Sequence, residues 1–368
     1  MKIAQFIDTF NLGGAETMLI RLSLELNKAG HQVIVFHFGN DFIEEVCKKN
    51  NIEQVIIPFK DLYQSILTVH LFSFRFAKFL KQHKIELLHN HLYGPITGTF
   101  IGSFFYRIPT LGTLHDVYLV QERKGRGLLL RLTQLLGTKL ISVSKAMQTF
   151  YEGYIPLNKK ITTIYNGIEQ EESQTKADDP LAEFITEKNE NSVRIVTVGR
   201  VIPLKQQHQQ LIALAPVLKK HNAKLFFVGD GSELEKLQKT IKELSLSKHV
   251  FLLGERNDVK AILEKSDIFC LCSESEGLSC SIIEAMSAGL PCVVSDVGGN
   301  SELIKDDING FLYPFGEQEK LKSQIERLVL DKKQRETFGT TSKKIALKDF
   351  SSHTMCVNYI NSYQSFFN

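Results

Sequence analysis

No Cys-x-x-Cys pair occurs among the 368 residues, and the six cysteines are scattered. That spacing argues against a structural zinc site. Cys270, Cys272 and Cys292 fall inside apolar strand patterns and read as small buried hydrophobes, with a reducing compartment the simplest inference. No apolar run is long enough for a bilayer. Residues 87–106 are free of Asp, Glu, Lys and Arg but contain His89, Asn90, His91 and Pro95, so they read as strand, loop and helix. The first ten residues hold Asp8 and end in a glycine turn, unlike a secretory leader. No nucleic-acid reader motif is evident, and a net charge of +3 is too small for an electrostatic footprint on nucleic acid.

The composition is that of an ordinary globular protein, 43% hydrophobic and 23% charged, long enough for two domains with real cores. Charge is unevenly divided: residues 1–168 carry a net +7 and the remainder −4, which suggests different tasks for the two halves. Short β runs alternate with helical stretches in both. Strands are expected at 2–7, 32–37, 54–58, 86–89, 110–115, 139–143 and 161–165. They resume at 193–198, 224–228, 250–253, 268–272, 291–295 and 310–313, followed by helices at 317–330 and 332–347. Such alternation implies parallel sheets covered on both faces. Residues 169–191 are rich in Glu, Asp, Lys, Gln and Asn and read as the crossing between domains, with a short helix of their own.

Two glutamates eight positions apart carry the chemistry. They lie in Glu276-Gly277-Leu278-Ser279-Cys280-Ser281-Ile282-Ile283-Glu284, between two apolar strand patterns. In parallel α/β sheets, ligands bind at the edge where strands give way to loops. A helix N-terminus there offers free backbone N–H groups to a phosphate. Carboxylates only accept hydrogen bonds, which suits sugar hydroxyls rather than phosphate. The competing reading is structural: Ser281 to Glu284 also spells a capping box, and Glu276 could be a solvated loop acid.

Three further motifs bear on the same chemistry. Asn11-Leu12-Gly13-Gly14-Ala15-Glu16 opens a helix on a glycine pair, which lets backbone approach a phosphate closely; it lacks the G-x-G-x-x-G spacing, disfavouring NAD or FAD. Its plain alternative is a tight turn. Val198-Gly199-Arg200 and Lys205 put two cations on the loop after a strand, where they can neutralise a diphosphate; a solvated basic loop is the alternative. His115 lies past a strand in Leu114-His115-Asp116, and could bond a sugar hydroxyl or simply be structural. His89 and His91, past the preceding strand, could contact the acceptor; His-x-His also hints at metal, but no carboxylate nearby completes a site, so no metal is assigned.

The glutamate pair, with Gly298-Gly299-Asn300-Ser301-Glu302 and Asn309-Gly310 downstream, resembles that of retaining glycosyltransferases of the family 4 kind. The resemblance covers nearly the whole chain. It implies the GT-B fold: α/β, two Rossmann-like doubly wound domains facing a central cleft. The implied domains are an acceptor-binding one at 1–168, completed by a C-terminal helix at about 350–368, a linker at 169–191, and a donor-binding one at 192–349. The implied reaction is transfer, with retention, from a nucleotide diphosphate sugar to a glycan or lipid-linked acceptor, without a cofactor or metal. Arg200, Lys205, Glu276 and His115 correspond to the family's catalytic positions. Gly13, Gly14, Asn166, Gly199, Arg256, Gly277, Leu278 and Glu284 correspond to donor-binding positions, the Arg256 loop meeting the base largely through backbone. The context after Lys205, Gln206-Gln207-His208, departs from the family's usual one.

Two other activities fit less well. A nucleotide-sugar 2-epimerase of the same fold would need an acid and base poised for elimination. A catalytically silent partner in glycan assembly would not need the intact glutamates and cations. Residues 65–84 and 122–131 are basic and rich in Phe and Leu, which suits an anionic membrane surface; a core-facing helix with a solvated basic edge is the alternative. The expected setting is the cytoplasm, peripheral on the inner face of a bacterial membrane, in surface polysaccharide synthesis.

Overall fold

The computed structural model describes residues 1–9, 13–154, 160–168 and 192–368. The linker expected at 169–191 lies outside these. The chain divides into two compact units, Met1–Glu169 with Ser351–Asn368, and Gln170–Phe350.

The first unit is built on seven parallel strands: β1 Lys2–Phe6, β2 Gln32–His37, β3 Glu53–Ile56, β4 Leu87–His91, β5 Thr110–Leu114, β6 Lys139–Ser142 and β7 Thr162–Thr163. Their order is β3-β2-β1-β4-β5-β6-β7. Strands covered on both faces read as near-continuous apolar runs, as Val33 to Phe36 do. Alternate residues face opposite layers. Ile3, Ile7, Leu87 and Leu111 pack with Met18, Leu22 and Leu26 of helix Gly14–Lys28. Onto the same face comes the last helix, Ser352–Gln364, through Met355, Cys356, Tyr359 and Tyr363. Ser351 caps that helix by accepting from Thr354 N at 3.1 Å. The opposite face packs Phe6 and Phe36 against Phe72, Phe76 and Leu80 of helix Val69–Gln82.

The second unit has six parallel strands: β8 Arg194–Val198, β9 Lys224–Val228, β10 Val250–Leu252, β11 Ile268–Leu271, β12 Cys292–Ser295 and β13 Gly310–Tyr313. Their order is β10-β9-β8-β11-β12-β13. Helices Gln207–Lys220 and Gln318–Leu330 cover one face with Leu214, Leu218, Leu321, Ile325 and Leu328. Helix Cys280–Ser287 buries Ile282, Ile283, Ala285 and Met286. Cys270, Cys272 and Cys292 are buried and free, and burial pushes the Cys292 thiol up.

In both sheets the strand order reverses once, between β1 and β4 and between β8 and β11. In open parallel sheets, such reversal points are where ligands bind, beside the loops that leave the strand ends. In the second unit a glycine sets how closely the loops approach. Gly298 has φ +51°, and a Cβ there would stand 1.7 Å from the Glu276 carbonyl oxygen. Backbone cannot yield locally as a flexible side chain can. Gly298→Ala is expected to cost at least about 2 kcal/mol of stability and to displace the Glu276 loop. A melting temperature within about 1 °C of the parent would show that the approach is not tight.

Candidate functional site

Strand β8 ends at Gly199, whose N–H bonds the Val228 carbonyl at 3.0 Å. Arg200 follows, exposed, its guanidinium without a partner among the described residues. The chain then makes the 3-10 turn Pro203–Lys205 and passes through left-handed Gln206 into helix Gln207–Lys220. From β11 comes the loop bearing Ser273 and Glu276. The two loops meet: Lys205 Nζ donates to Glu276 Oε1 at 2.5 Å, and Ser273 Oγ donates to the same oxygen at 2.5 Å. Only 15% of the Lys205 side chain and 10% of Glu276 are exposed. Backbone ties fix the arrangement, Glu274 N to Leu204 O at 2.9 Å and Ser295 Oγ to Ser273 O at 2.6 Å. A mostly buried carboxylate needs such donors, because leaving water costs several kcal/mol per ion.

The capping-box alternative for Glu284 is not what forms. Helix Cys280–Ser287 has Ser279 as its N-cap, two residues before Ser281, with no side-chain capping bond. Glu284 is therefore one turn into the helix and half-buried. Gly277 and Leu278 precede it, and their N–H groups have no partner among the described residues. Arg256 closes a two-pronged bond on Asp258, Nε to Oδ1 at 2.8 Å and Nη2 to Oδ2 at 2.7 Å, which shapes its own loop.

In the first unit, Gly13 N-caps helix Gly14–Lys28, and its carbonyl accepts from Thr17 N and Oγ1. Asn166 is buried beside Gly167, where Ser352 N bonds the Ile168 carbonyl and the last helix begins. His115 is half-buried at the end of β5. His89 and His91 are corrected: both lie within β4, which runs two residues further than expected, and both are fully buried, so neither is an exposed acceptor contact. They share a strand face with Gln5 and Thr113, under Tyr359 and Tyr363. His91 Nε2 meets Gln5 Oε1 at 2.5 Å, and His91 Nδ1 meets His115 Nε2 at 3.2 Å. Burial lowers all three histidines, His115 to about 3.

Sequence reasoning missed Gln5 and Asp8. Asp8 follows β1, accepts from Tyr63 Oη at 2.6 Å, and is raised by burial. A Cβ on Gly94 would strike its Oδ2. A carboxylate two residues past the first strand was the available signal. Leu92, at the end of β4, holds φ +74° and ψ +166°, a conformation that costs a non-glycine residue about 1–3 kcal/mol.

The family model described as Glycosyl transferases group 1 matches residues 178–345, and that described as Glycosyltransferase Family 4 matches residues 12–172. A galactosyltransferase of Escherichia coli, UDP-Gal:alpha-D-GlcNAc-diphosphoundecaprenol alpha-1,3-galactosyltransferase, is 30% identical over 276 residues, 69% of each chain. N-acetyl-alpha-D-glucosaminyl L-malate synthase of Bacillus anthracis is 24% identical over 362 residues, 96% of this chain and 94% of its own. Among solved structures, Anabaena HepE in complex with UDP superposes with a TM-score of 0.85 at 23% identity, covering 99% of this chain and 100% of its own. The chain belongs to the family 4, group 1 glycosyltransferases, with two Rossmann-like α/β domains of the GT-B kind.

The Lys205–Glu276 contact can be weighed alone. Lys205→Met or Glu276→Gln each leaves a mostly buried group short of a partner, an expected loss of about 1–3 kcal/mol. The double variant should recover part of that loss. Denaturant unfolding of the four proteins gives the coupling. A value indistinguishable from zero would mean the two loops hold their places without the pair.

Proposed function

We propose that this glycosyltransferase moves a sugar from a nucleotide diphosphate sugar to a hydroxyl of a lipid-linked glycan, with retention of anomeric configuration and no metal. One observation carries the reading: a lysine and a glutamate from the two loops of a topological switch point meet at 2.5 Å. The E. coli relative's diphosphoundecaprenol-linked acceptor and the UDP bound in Anabaena HepE support the substrate classes.

In this reading the diphosphate lies across Arg200, Lys205 and the N–H groups of Gly277 and Leu278. As the C1–oxygen bond breaks, negative charge grows on the departing phosphate, and fixed positive groups stabilise it most there. Glu284 accepts from the ribose hydroxyls and Glu276 from the sugar. The acceptor oxygen forms its bond to C1 on the face the phosphate leaves, and its proton passes to a phosphate oxygen. His115 receives a sugar hydroxyl. Gly13, Gly14, Asn166, Gly199 and the Arg256 loop line the donor. The first unit binds the acceptor and the second the donor, joined by residues 169–191.

The acceptor's lipid would be met at the membrane. Among the described residues, no helix is long and apolar enough to cross one. Helix Val69–Gln82 uses Phe72, Phe76 and Leu80 in the core yet leaves Leu71 and Phe74 exposed. Phe74 touches exposed Phe105 at 5.5 Å between ring centroids. Ile66 and Leu67, 92% and 82% exposed, precede that helix. Arg75, Lys78, Lys81 and Arg107 are exposed around them. Apolar side chains ringed by cations suit an anionic headgroup layer on the inner leaflet, in bacterial surface polysaccharide synthesis.

Two measurements follow. Arg200→Ala should lower kcat by about 10²–10³ at saturating donor, the scale for a preorganised charge stabiliser; activity within twofold of the parent would remove Arg200 from the mechanism. Anionic vesicles at low salt should sediment the protein, and added salt should release it. Failure to sediment with anionic vesicles would end the membrane reading.

A further inference from the structure

The buried cluster behind His115 has a hydrogen-bonding sense that can be deduced link by link. Gln5, His89 and His91 are wholly buried, and water is not needed to pair the histidine nitrogens. Burial keeps the three histidines neutral near pH 7, so each carries one ring proton. Gln5 Oε1 can only accept, so His91 bears its proton on Nε2. His91 Nδ1 is then bare and can only accept, so the proton between His91 and His115 belongs to His115 Nε2. A neutral His115 with its proton on Nε2 has a bare Nδ1, which has no partner among the described residues.

The opposite orientation of the Gln5 amide would reverse every step. Its Nε2 would donate to His91, His91 would donate to His115, and His115 would present an N–H outward. The structure has the first arrangement, with Oε1 turned to His91 Nε2. Gln5 Nε2 is buried and has no hydrogen-bond partner among the described residues. Tyr363 Oη meets His89 Nδ1 at 2.8 Å, and His89 Nε2 meets Thr113 Oγ1 at 2.8 Å. Thr113 Oγ1 and Tyr359 Oη are hydrogen-bonded at 3.1 Å.

We propose that Gln5 is a positioning residue which, through His91, fixes the tautomer of His115 so that a bare Nδ1 is offered to a hydroxyl of the substrate. This rests on the reading above in which His115 meets such a hydroxyl. A sugar or acceptor hydroxyl is both donor and acceptor, and the bare nitrogen makes it donate here. That leaves the hydroxyl oxygen's lone pairs free for other groups.

Histidine 15N chemical shifts, measured on the full-length labelled protein and assigned by single histidine replacement, report which ring nitrogen carries the proton. His115 should show a protonated Nε2 and a bare Nδ1. Gln5→Leu removes the acceptor and should leave His91 and His115 as tautomer mixtures, with kcat/KM about tenfold lower. A merely structural Gln5 would change stability without this tautomer pattern. A proton on Nδ1 of His115 in the parent overturns the proposal, and that measurement needs no variant to fold. So does an unchanged His115 tautomer in Gln5→Leu. If the tautomers behave as described but His115→Ala keeps full kcat/KM, Gln5's role in setting the tautomer stands and the substrate contact falls.

Discussion

A single carboxylate oxygen joins the loops at the second unit's switch point. Glu276 Oε1 takes both Lys205 and Ser273, each at 2.5 Å. Each donor belongs to a different part of the switch point, Lys205 to the loop leaving β8 and Ser273 to the strand end at β11. Burial makes this contact consequential. A surface ion pair contributes little, whereas a mostly buried one is costly to break because each charge is left without water or partner. The positions of Gly277, Leu278 and the helix that follows depend on where the Glu276 loop is held. Gly298 presses on that loop from behind, at a distance no side chain would allow. Lys205 and Glu276 cancel each other's charge here. The exposed cation of the loop is Arg200.

The first unit solves a different problem with the same topology. Its switch point lies between β1 and β4, and the groups gathered near it are largely uncharged. Gln5, His89, His91, Thr113, Tyr359 and Tyr363 bond one another in the dry interior. A buried polar group without a partner is expensive, so each strand residue here is matched by one from a neighbour. The last helix supplies two tyrosines to that match. Its docking is thus polar at the strand-end side and apolar elsewhere, through Met355 and Cys356.

The architecture was legible because strand and helix periodicity survive in a doubly covered sheet. β2, β9 and β13 fall where the apolar runs end, at residues 32–37, 224–228 and 310–313. The Lys205–Glu276 neighbourhood was legible as a spacing of residue types, though not as a direct contact, since 71 positions separate them. The histidines of β4 were misread for a physical reason. Polar residues in a parallel strand look like the strand's end, and only the partners on β1, β5 and the last helix show that they are buried and satisfied. Gln5 escaped notice likewise, as one polar residue in an apolar strand. Helix Val69–Gln82 combined both readings of its sequence, with core phenylalanines on one side and exposed Leu71 and Phe74 on the other.

Under the proposed function, the contrast between the two switch points matches what each would hold. A pyrophosphate carries fixed negative charge, which calls for cations with a counter-charge at hand; in the proposed reading Lys205 and Glu276 would be such a pair. Hydroxyls carry no net charge, and selecting among them calls for lone pairs and N–H groups of defined sense, not for charge. Neutral imidazole provides either sense, and its neighbours decide which. Burial that lowers His115 to about 3 keeps it neutral across the physiological range. Its hydrogen-bonding sense is then set by structure and not by pH. A charged histidine would offer two donors and no acceptor, so the dry interior behind His115 is what preserves an acceptor at that strand end.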